Sequence, residues 1–344
     1  MQPADVQILG EAPVFLDVLD HISRVAPLDR PVLVIGERGT GKELVAARLH
    51  FLSRRWDKSF IQMNCAALTD SLIESELFGH EAGAFTGATR ARAGRFEEAD
   101  SGTLFLDEIA TLSMTAQEKL LRVIEYGQYQ RLGSNDVEET DVRLIGATNI
   151  DLPAAVRDGN FRADLLDRLS FDVLTLPPLR ARRDDIPLLA KHFGRAMANE
   201  LGWAHFPGFS DRAMEALLAY DFPGNVRELK NLVERSVYRA GDTGAPVDEV
   251  AIDPFLSPYR PRNDQKPETP SALDPDEIKR GGVRSSTDLS EIRDFKGAVG
   301  DYERAILEAA MKAERHQQKA TADRLGLTYD QLRHALKKHN LLSR

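Results

Sequence analysis

The stretch Gly36-Glu37-Arg38-Gly39-Thr40-Gly41-Lys42-Glu43 constrains this chain more than any other. It fits GxxxxGK, the pattern of a loop that cradles phosphate when a strand leads in and a helix leads out. Pro31-Val32-Leu33-Val34-Ile35 before it is an apolar run of buried-strand type. Residues 44–50 after it have helical spacing and no breaker. Such a turn gathers backbone N–H groups around one anion, the helix dipole adds to that field, and Lys42 supplies a charge for β/γ-phosphates. The alternative is an ordinary glycine-rich turn. Glu43 stands where many such loops carry Ser or Thr to hold Mg²⁺, so the metal must lean on a carboxylate elsewhere.

Strands and helices alternate around this loop. Ahead of it, Val14, Leu16, Val18, Leu19, Ile22 and Val25 can share one face of a helix that Pro27 ends. Behind it come a strand at 60–64, a short helix within 70–81, and the uncharged stretch Gly83-Ala84-Phe85-Thr86-Gly87-Ala88. Thr103-Leu104-Phe105-Leu106-Asp107-Glu108 reads as an apolar strand with two carboxylates at its C-terminal end. A helix at 116–126 and a strand at 142–147, ending on Thr148-Asn149, follow. The alternation predicts an α/β fold with a parallel sheet and ligands at the C-terminal strand ends. Asp107 is then the carboxylate that the loop lacks, holding Mg²⁺ directly or through water. Glu108 can polarise the attacking water, and Asn149 can hold that water or the γ-phosphate. Alone, an acid pair ending a strand is often only solvated, and such an Asn is usually a turn residue. Their place some 65 residues after the phosphate loop favours the nucleotide reading.

At 344 residues the chain has room for two or three domains. No apolar run approaches the ~20 residues that span a bilayer, and no signal peptide is visible. The expectation is a cytoplasmic, nucleoid-associated protein that is not an integral membrane protein. The lone Cys65 excludes an internal disulfide; behind a strand-like run it reads as a core residue rather than a nucleophile. The net charge of −9 gives no hint of nucleic-acid binding by the whole chain. The tail differs.

Residues 176–256 carry three helical patterns, at 184–201, 210–220 and 225–238, the last two parted by Pro223-Gly224. Residues 257–297 are rich in Pro, Ser, Asp and Lys without periodicity and read as a flexible linker. A helix is predicted over 299–315, with Tyr302, Ile306, Leu307 and Ala310 on one side, and a helix-turn-helix after it. There Gly326 makes the turn and Thr328 caps the next helix. From Lys312 on, eight Lys/Arg oppose three acids, a local charge of +5 that suits a DNA anchor. Thr328, Tyr329, Asp330, Arg333 and His334 open the expected recognition helix toward base edges, while Lys337 and Lys338 are placed to meet phosphate. A plain helical hairpin with a solvated basic face is the alternative. The domains expected are thus 1–175, 176–256, the linker, and 298–344.

Together these features resemble the AAA+ ATPases, and among them the bacterial enhancer-binding activators of sigma-54 RNA polymerase. The specific mark is GAFTGA at 83–88, preceded by Glu76-Leu77-Phe78-Gly79-His80-Glu81; other AAA+ proteins share the nucleotide motifs but not this insertion. The resemblance runs from about residue 9 to 344. It implies an ATPase that uses ATP and Mg²⁺, assembles as a ring (a hexamer), binds enhancer DNA and remodels the sigma-54 polymerase closed complex. Residues 36–43 would bind nucleotide, with Asp107 on the metal, Glu108 activating water and Asn149 as sensor I. Asn64 matches the switch asparagine that holds Glu108 off the water; an amide simply ending a strand is its alternative. Arg162 and Arg168 match arginine-finger positions, worth ~10³–10⁵ in rate in other systems. Local ion pairs with Asp164 and Asp167 are theirs. Arg227, in Pro223-Gly224-Asn225-Val226-Arg227, matches sensor II.

In GAFTGA, glycines at both ends permit a hairpin and leave Phe85 projecting. The resemblance makes Phe85 and Thr86 the residues that touch the sigma factor, with Arg131 in a second loop helping; an internal turn with Phe85 in the core is the alternative. No receiver domain precedes the ATPase in this sequence, so control is expected in trans, from a membrane-associated coiled-coil negative regulator. Trp56, among Arg54, Arg55, Asp57 and Lys58, is a docking point for it or packs on its own helix. Three departures from the family pattern are Ser101, Ala181 and Thr321, where Gly, Glu and Ala are usual. A DNA-binding regulator whose ATPase controls only oligomerisation, independent of sigma-54, is the runner-up. A substrate-unfolding chaperone is disfavoured by the tail.

Overall fold

A computed structural model describes residues 8–85, 87–254, 295–314, 317–339 and 341. Thr86 and nearly all of the expected linker lie outside the described residues. The chain divides into a unit ending at Arg260 and a second unit from Pro261.

In the first unit, α1 (Pro13–Val25), β1 (Val32–Ile35), α2 (Lys42–Phe51), β2 (Phe60–Asn64), α3 (Asp70–Phe78) and α4 (Arg95–Glu98) come first. β3 (Thr103–Asp107), α5 (Met114–Tyr126), β4 (Gln128–Tyr129), β5 (Glu138–Glu139), β6 (Arg143–Thr148), α6 (Leu152–Arg157), α7 (Ala163–Leu169) and β7 (Val173–Thr175) complete an α/β layer. Three helices follow: α8 (Asp185–Glu200), α9 (Asp211–Ala219) and α10 (Asn225–Ala240). The sheet is parallel with strand order β2-β3-β6-β1-β7. β1 therefore sits beside β6, and β6 beside β3, so their C-terminal ends form one continuous edge.

The strands are apolar on both faces because helices cover both. Leu33, Met63, Leu104, Leu106 and Leu144 pack with α3, α5 and α7. Their alternate neighbours Val32, Val34, Phe105, Ile145 and Ala147 pack with α1 and α2. In α1 the buried stripe is Phe15, Ile22 and Val25, with Val18 and Leu19 partly buried. Val14 and Leu16 are exposed, contrary to the face read from sequence. Counted at three- and four-residue steps from Phe15, both fall off the stripe. At the other end of β6, the buried Arg143 guanidinium donates to the carbonyls of Ala26 (2.7 Å), Arg30 (3.3 Å) and Val25 (3.4 Å), satisfying the C-terminus of α1.

The helical layer has its own core of Leu179, Ile186, Leu217, Phe222, Leu229 and Val233. The second unit, taken by itself, contains α11 (Phe295–Ala313), α12 (Gln318–Leu325) and α13 (Tyr329–Lys338) around Leu307, Met311, Ala322, Leu332 and Leu336. Ile306 is exposed rather than on the packed side. Gly326 turns at φ +65°, and Thr328 forms a capping box with Gln331. Thr321 is buried without loss, since its hydroxyl donates to the Gln317 carbonyl at 2.9 Å.

Candidate functional site: a nucleotide cleft and its satellite loops

The phosphate loop leaves β1 and turns at Gly39 (φ +78°) and Gly41 (φ +102°) into α2. The first N–H groups of α2 have no acceptor within the helix and open on the cleft. Lys42 is buried, its ammonium donating to Gly36 O at 2.9 Å and Glu37 O at 3.4 Å. Burial pushes its pKa down, and the nearby Glu108 and Asp107 carboxylates oppose that shift. Two acids beside one buried ammonium form a strongly charged pocket of oxygen donors. Glu43 is exposed on the first turn.

Asp107 ends β3, and its Oδ1 accepts from the Glu108 N–H at 3.0 Å. Glu108 itself takes a left-handed φ of +53°, aiming its carboxylate across the strand ends. There the Asn149 amide, with nitrogen toward Glu108 and oxygen toward Arg38, donates to Glu108 Oε2 at 3.0 Å and accepts from Arg38 Nε at 3.2 Å. Arg38 Nε lies 4.0 Å from Glu108 Oε1. The Asn64 amide instead reaches Asp107 Oδ2 at 3.4 Å, while its oxygen caps the next turn through Ala66 N. In this structure Asn64 therefore faces Asp107, not Glu108. Cys65, next to Asn64, is buried, and its thiol is pushed up to about 12 by desolvation, with Asp107 and Glu108 adding to it.

Beside the loop lies a cavity of about 100 Å³ lined by Ile8, Leu9, Phe15, Gly41, Val45 and Val226, among others. The sequence reading missed it. Its apolar lining comes from four separated segments, and only the tertiary fold brings them together.

From the helical layer, Arg227 reaches the loop by its backbone: the N–H groups of Val226 (3.0 Å) and Arg227 (3.4 Å) both point at Gly39 O. Arg162 and Arg168 lie apart from this group. Arg162 is paired in a fork with Asp164 at 3.0 and 2.7 Å, and Arg168 with Glu125 at 2.8 Å, not with Asp167.

The GAFTGA stretch folds back on itself, Gly83 N donating to Ala88 O at 2.7 Å and Ala88 N to Phe85 O at 3.0 Å. Gly83 and Gly87 take φ of +84° and +104°. Phe85 is 43% exposed, its ring edge-on to His80 with centroids 5.0 Å apart, and His80 is held by Ser75 at 2.7 Å. Arg131 bridges Glu81 and Glu97, both at 2.9 Å, fastening the second loop to the base of this turn. Ala84 lies against Gly133, where an added Cβ would come within 2.8 Å of it.

Trp56 is 60% exposed. The adjacent Arg55 holds its turn in place by donating to Asp29, to the Asp141 carboxylate and carbonyl (both 2.7 Å), and to Gly102 O at 3.1 Å.

On α13, Arg333, His334 and Lys337 are exposed. Tyr329 donates its hydroxyl to Gln318 at 3.1 Å, and Lys338 pairs with Glu303 at 2.7 Å. The Asp330 side chain lies outside the described residues.

The chain matches three family descriptions: "Sigma-54 interaction domain" over residues 8–175, "AAA+ ATPase lid domain" over 180–269, and "Bacterial regulatory protein, Fis family" over 298–339. It is 53% identical over 335 residues to the Psp operon transcriptional activator of Escherichia coli K12, covering 97% of this chain and 98% of that protein. It is 52% identical over 234 residues to the transcriptional regulatory protein ZraR of Salmonella typhimurium, spanning 68% of this chain but 53% of that protein. Among solved structures, NtrX from Brucella abortus in complex with ATP matches with TM-score 0.66 and 31% identity, over 97% of this chain and 70% of that one. Among the described residues no helix is long and apolar enough to cross a membrane. The chain belongs to the sigma-54-activating family of AAA+ ATPases that carry a Fis-type helix-turn-helix.

Proposed function

We propose that this ATPase activates the phage-shock operon, binding enhancer DNA through α13 and remodelling the sigma-54 polymerase closed complex into an open one. The observation that carries this reading is the single edge formed by β1, β6 and β3. It brings Lys42, Asn149, Asp107 and Glu108 to one cleft in the layer that also bears the GAFTGA turn.

In this reading ATP lies with its phosphates on the N–H groups of loop 36–43 and its base toward the apolar cavity beside Gly41. Lys42 leaves the loop carbonyls for the β/γ-phosphates, and Arg227 closes from the lid. The oxygen donors fit a Mg²⁺ ion held by Asp107 together with phosphate and water. When bound, that ion neutralises charge on the transferring phosphoryl group. Glu108 orients the attacking water, Asn149 sets the direction of its carboxylate, and Asn64 exchanges Asp107 for Glu108 as the switch engages. Arg162 and Arg168 leave their own-chain acids to reach a neighbour's γ-phosphate, which makes turnover depend on ring assembly, proposed as a hexamer.

Phe85 and Thr86, presented by Gly83, Ala84, Gly87 and Ala88, contact the sigma factor. Control in trans by a phage-shock protein A type negative regulator fits the exposed Trp56. Inhibition lost in Trp56→Ala with ATPase retained supports that docking, and full inhibition removes it.

The deciding experiment is open-complex formation by sigma-54 holoenzyme on a sigma-54 promoter, with ATP or a non-hydrolysable analogue. Opening with ATP alone, lost in Thr86→Ala, is expected. Hydrolysis without opening would instead favour a regulator whose ATPase controls only oligomerisation.

A further inference from the structure

We infer that Asn225 is a positioning residue that locks the phosphate loop to the lid, holding the loop in its nucleotide-binding shape from the side away from the phosphates. This rests on the assignment of ATP to loop 36–43.

Asn225 is fully buried, and its backbone takes φ +51°, a left-handed conformation that Asn adopts more readily than most non-glycine residues. Four hydrogen bonds hold it there. Its Oδ1 accepts from Leu179 N at 2.8 Å, and its Nδ2 donates to Arg38 O at 3.0 Å and Glu37 Oε2 at 3.1 Å. Its own N–H donates to Phe222 O at 2.8 Å. One amide thus fastens three elements: the phosphate loop, the turn at Leu179 through which the chain enters the lid, and the start of α10.

Glu37 is the loop's other anchor. Arg180 grips both its oxygens, at 2.8 and 2.5 Å, and Arg180 first and Asn225 second hold its carboxyl down at about 2. The Asn225 Nδ2–H therefore meets a carboxylate at any physiological pH, a charge-assisted bond. The loop and α10 are also in close apposition, since a Cβ on Gly39 would come within 2.2 Å of Gly224 O.

The functional consequence follows from Lys42. Its ammonium ties the loop by bonding the carbonyls of Gly36 and Glu37, and turning it toward a phosphate loosens those ties. The loop must then keep its shape through its remaining ties, and those of Asn225 reach Glu37 and Arg38 directly. A residue that only packed the lid would have no need of donors aimed at loop oxygens.

The test uses the full-length chain with Asn225→Gly, Asn225→Asp and, as a reference, Lys42→Ala. Glycine adopts the left-handed backbone freely but has no amide. Aspartate keeps the shape but sets an acceptor against Glu37 and the Arg38 carbonyl. Equilibrium binding of a fluorescent ATP analogue, steady-state KM and kcat, and the nucleotide-free Tm are read together. We expect both Asn225 variants to bind about tenfold or more weakly, the effect of an unmade buried hydrogen bond. KM should rise more than kcat falls, with a modest drop in Tm for Asn225→Gly, which leaves the buried Leu179 N–H and the Arg38 carbonyl without their partner. Asn225→Asp with Glu37→Gln, which restores a donor, should recover part of the affinity. Parental affinity in both Asn225 variants, with Lys42→Ala impaired, would overturn the proposal. Parental binding by Lys42→Ala would instead overturn the site assignment beneath it.

Discussion

The Asn149 amide nitrogen faces Glu108 Oε2 at 3.0 Å across the ends of two adjacent strands, with Arg38 on the amide's other side. A carboxylate that is to orient water needs a fixed direction, and this bond supplies one. Glu108→Ala is expected to lower kcat by ~10²–10⁴-fold, the range for a lost general base, while ATP binding persists. Asn149→Ala should lower kcat less and leave KM nearly unchanged. Unaltered turnover in Glu108→Ala would remove Glu108 from the chemistry.

Arg131 is the only side chain described as bridging Glu81 and Glu97, and so joins the second loop to the base of the GAFTGA turn. Arg131→Ala is expected to keep ATP turnover while open-complex formation falls about tenfold, equivalent to about 1.4 kcal/mol of coupling. Arg131→Lys keeps the charge but loses the fork, and should recover little. Parallel assays of hydrolysis and promoter opening decide it; matched losses in both would mean that Arg131 serves the fold alone.

Cys65 offers a check on the core. An ordinary thiol titrates at about 8.5, whereas burial beside Asp107 and Glu108 pushes Cys65 up to about 12. The reactive thiolate is therefore scarce in the native protein at pH 8 and rises only as the pH nears 12. Iodoacetamide should leave Cys65 unmodified at pH 8 until denaturant is added. Rapid native alkylation, read by mass spectrometry, would contradict its placement.

On α13 two neighbouring lysines should behave differently. Both are exposed, but Lys338 pairs with Glu303 on α11. Lys337→Ala should flatten the salt dependence of enhancer-DNA binding by about one unit of slope. Lys338→Ala should change the slope less and lower the Tm of the helix-turn-helix slightly. Equal slopes for the two variants would show that the Glu303 pair opens on DNA.

Much of the cleft was legible because its residues are tied to local patterns. A glycine-spaced loop between strand and helix placed Lys42, and an apolar run ending in two acids placed Asp107 and Glu108. Periodicity failed where one residue's offset decides the outcome: Val14, Leu16 and Ile306 lie beside packed stripes rather than on them. Side-chain partners were out of reach for a different reason. Arg168 meets Glu125, 43 positions earlier, and Asn64 meets Asp107 because β2 and β3 pair in register. The cavity beside Gly41 and the buried amide of Asn225 depend on tertiary approach alone, and no local pattern announces either.

The pairing of Arg162 with Asp164 has a consequence for a chain on its own. A guanidinium already forked onto a carboxylate two residues away is a sheathed charge. An anion that takes the same Nε/Nη2 edge must displace Asp164, and one ion pair is then exchanged for another with little net change in charge. What decides the exchange is shape: the newcomer needs two oxygens set to match the planar fork, as a phosphate offers and a chloride ion does not. If Arg162 serves as the proposed finger, this edge would stay on Asp164 in simple salt and pass only to a group with two matched oxygens.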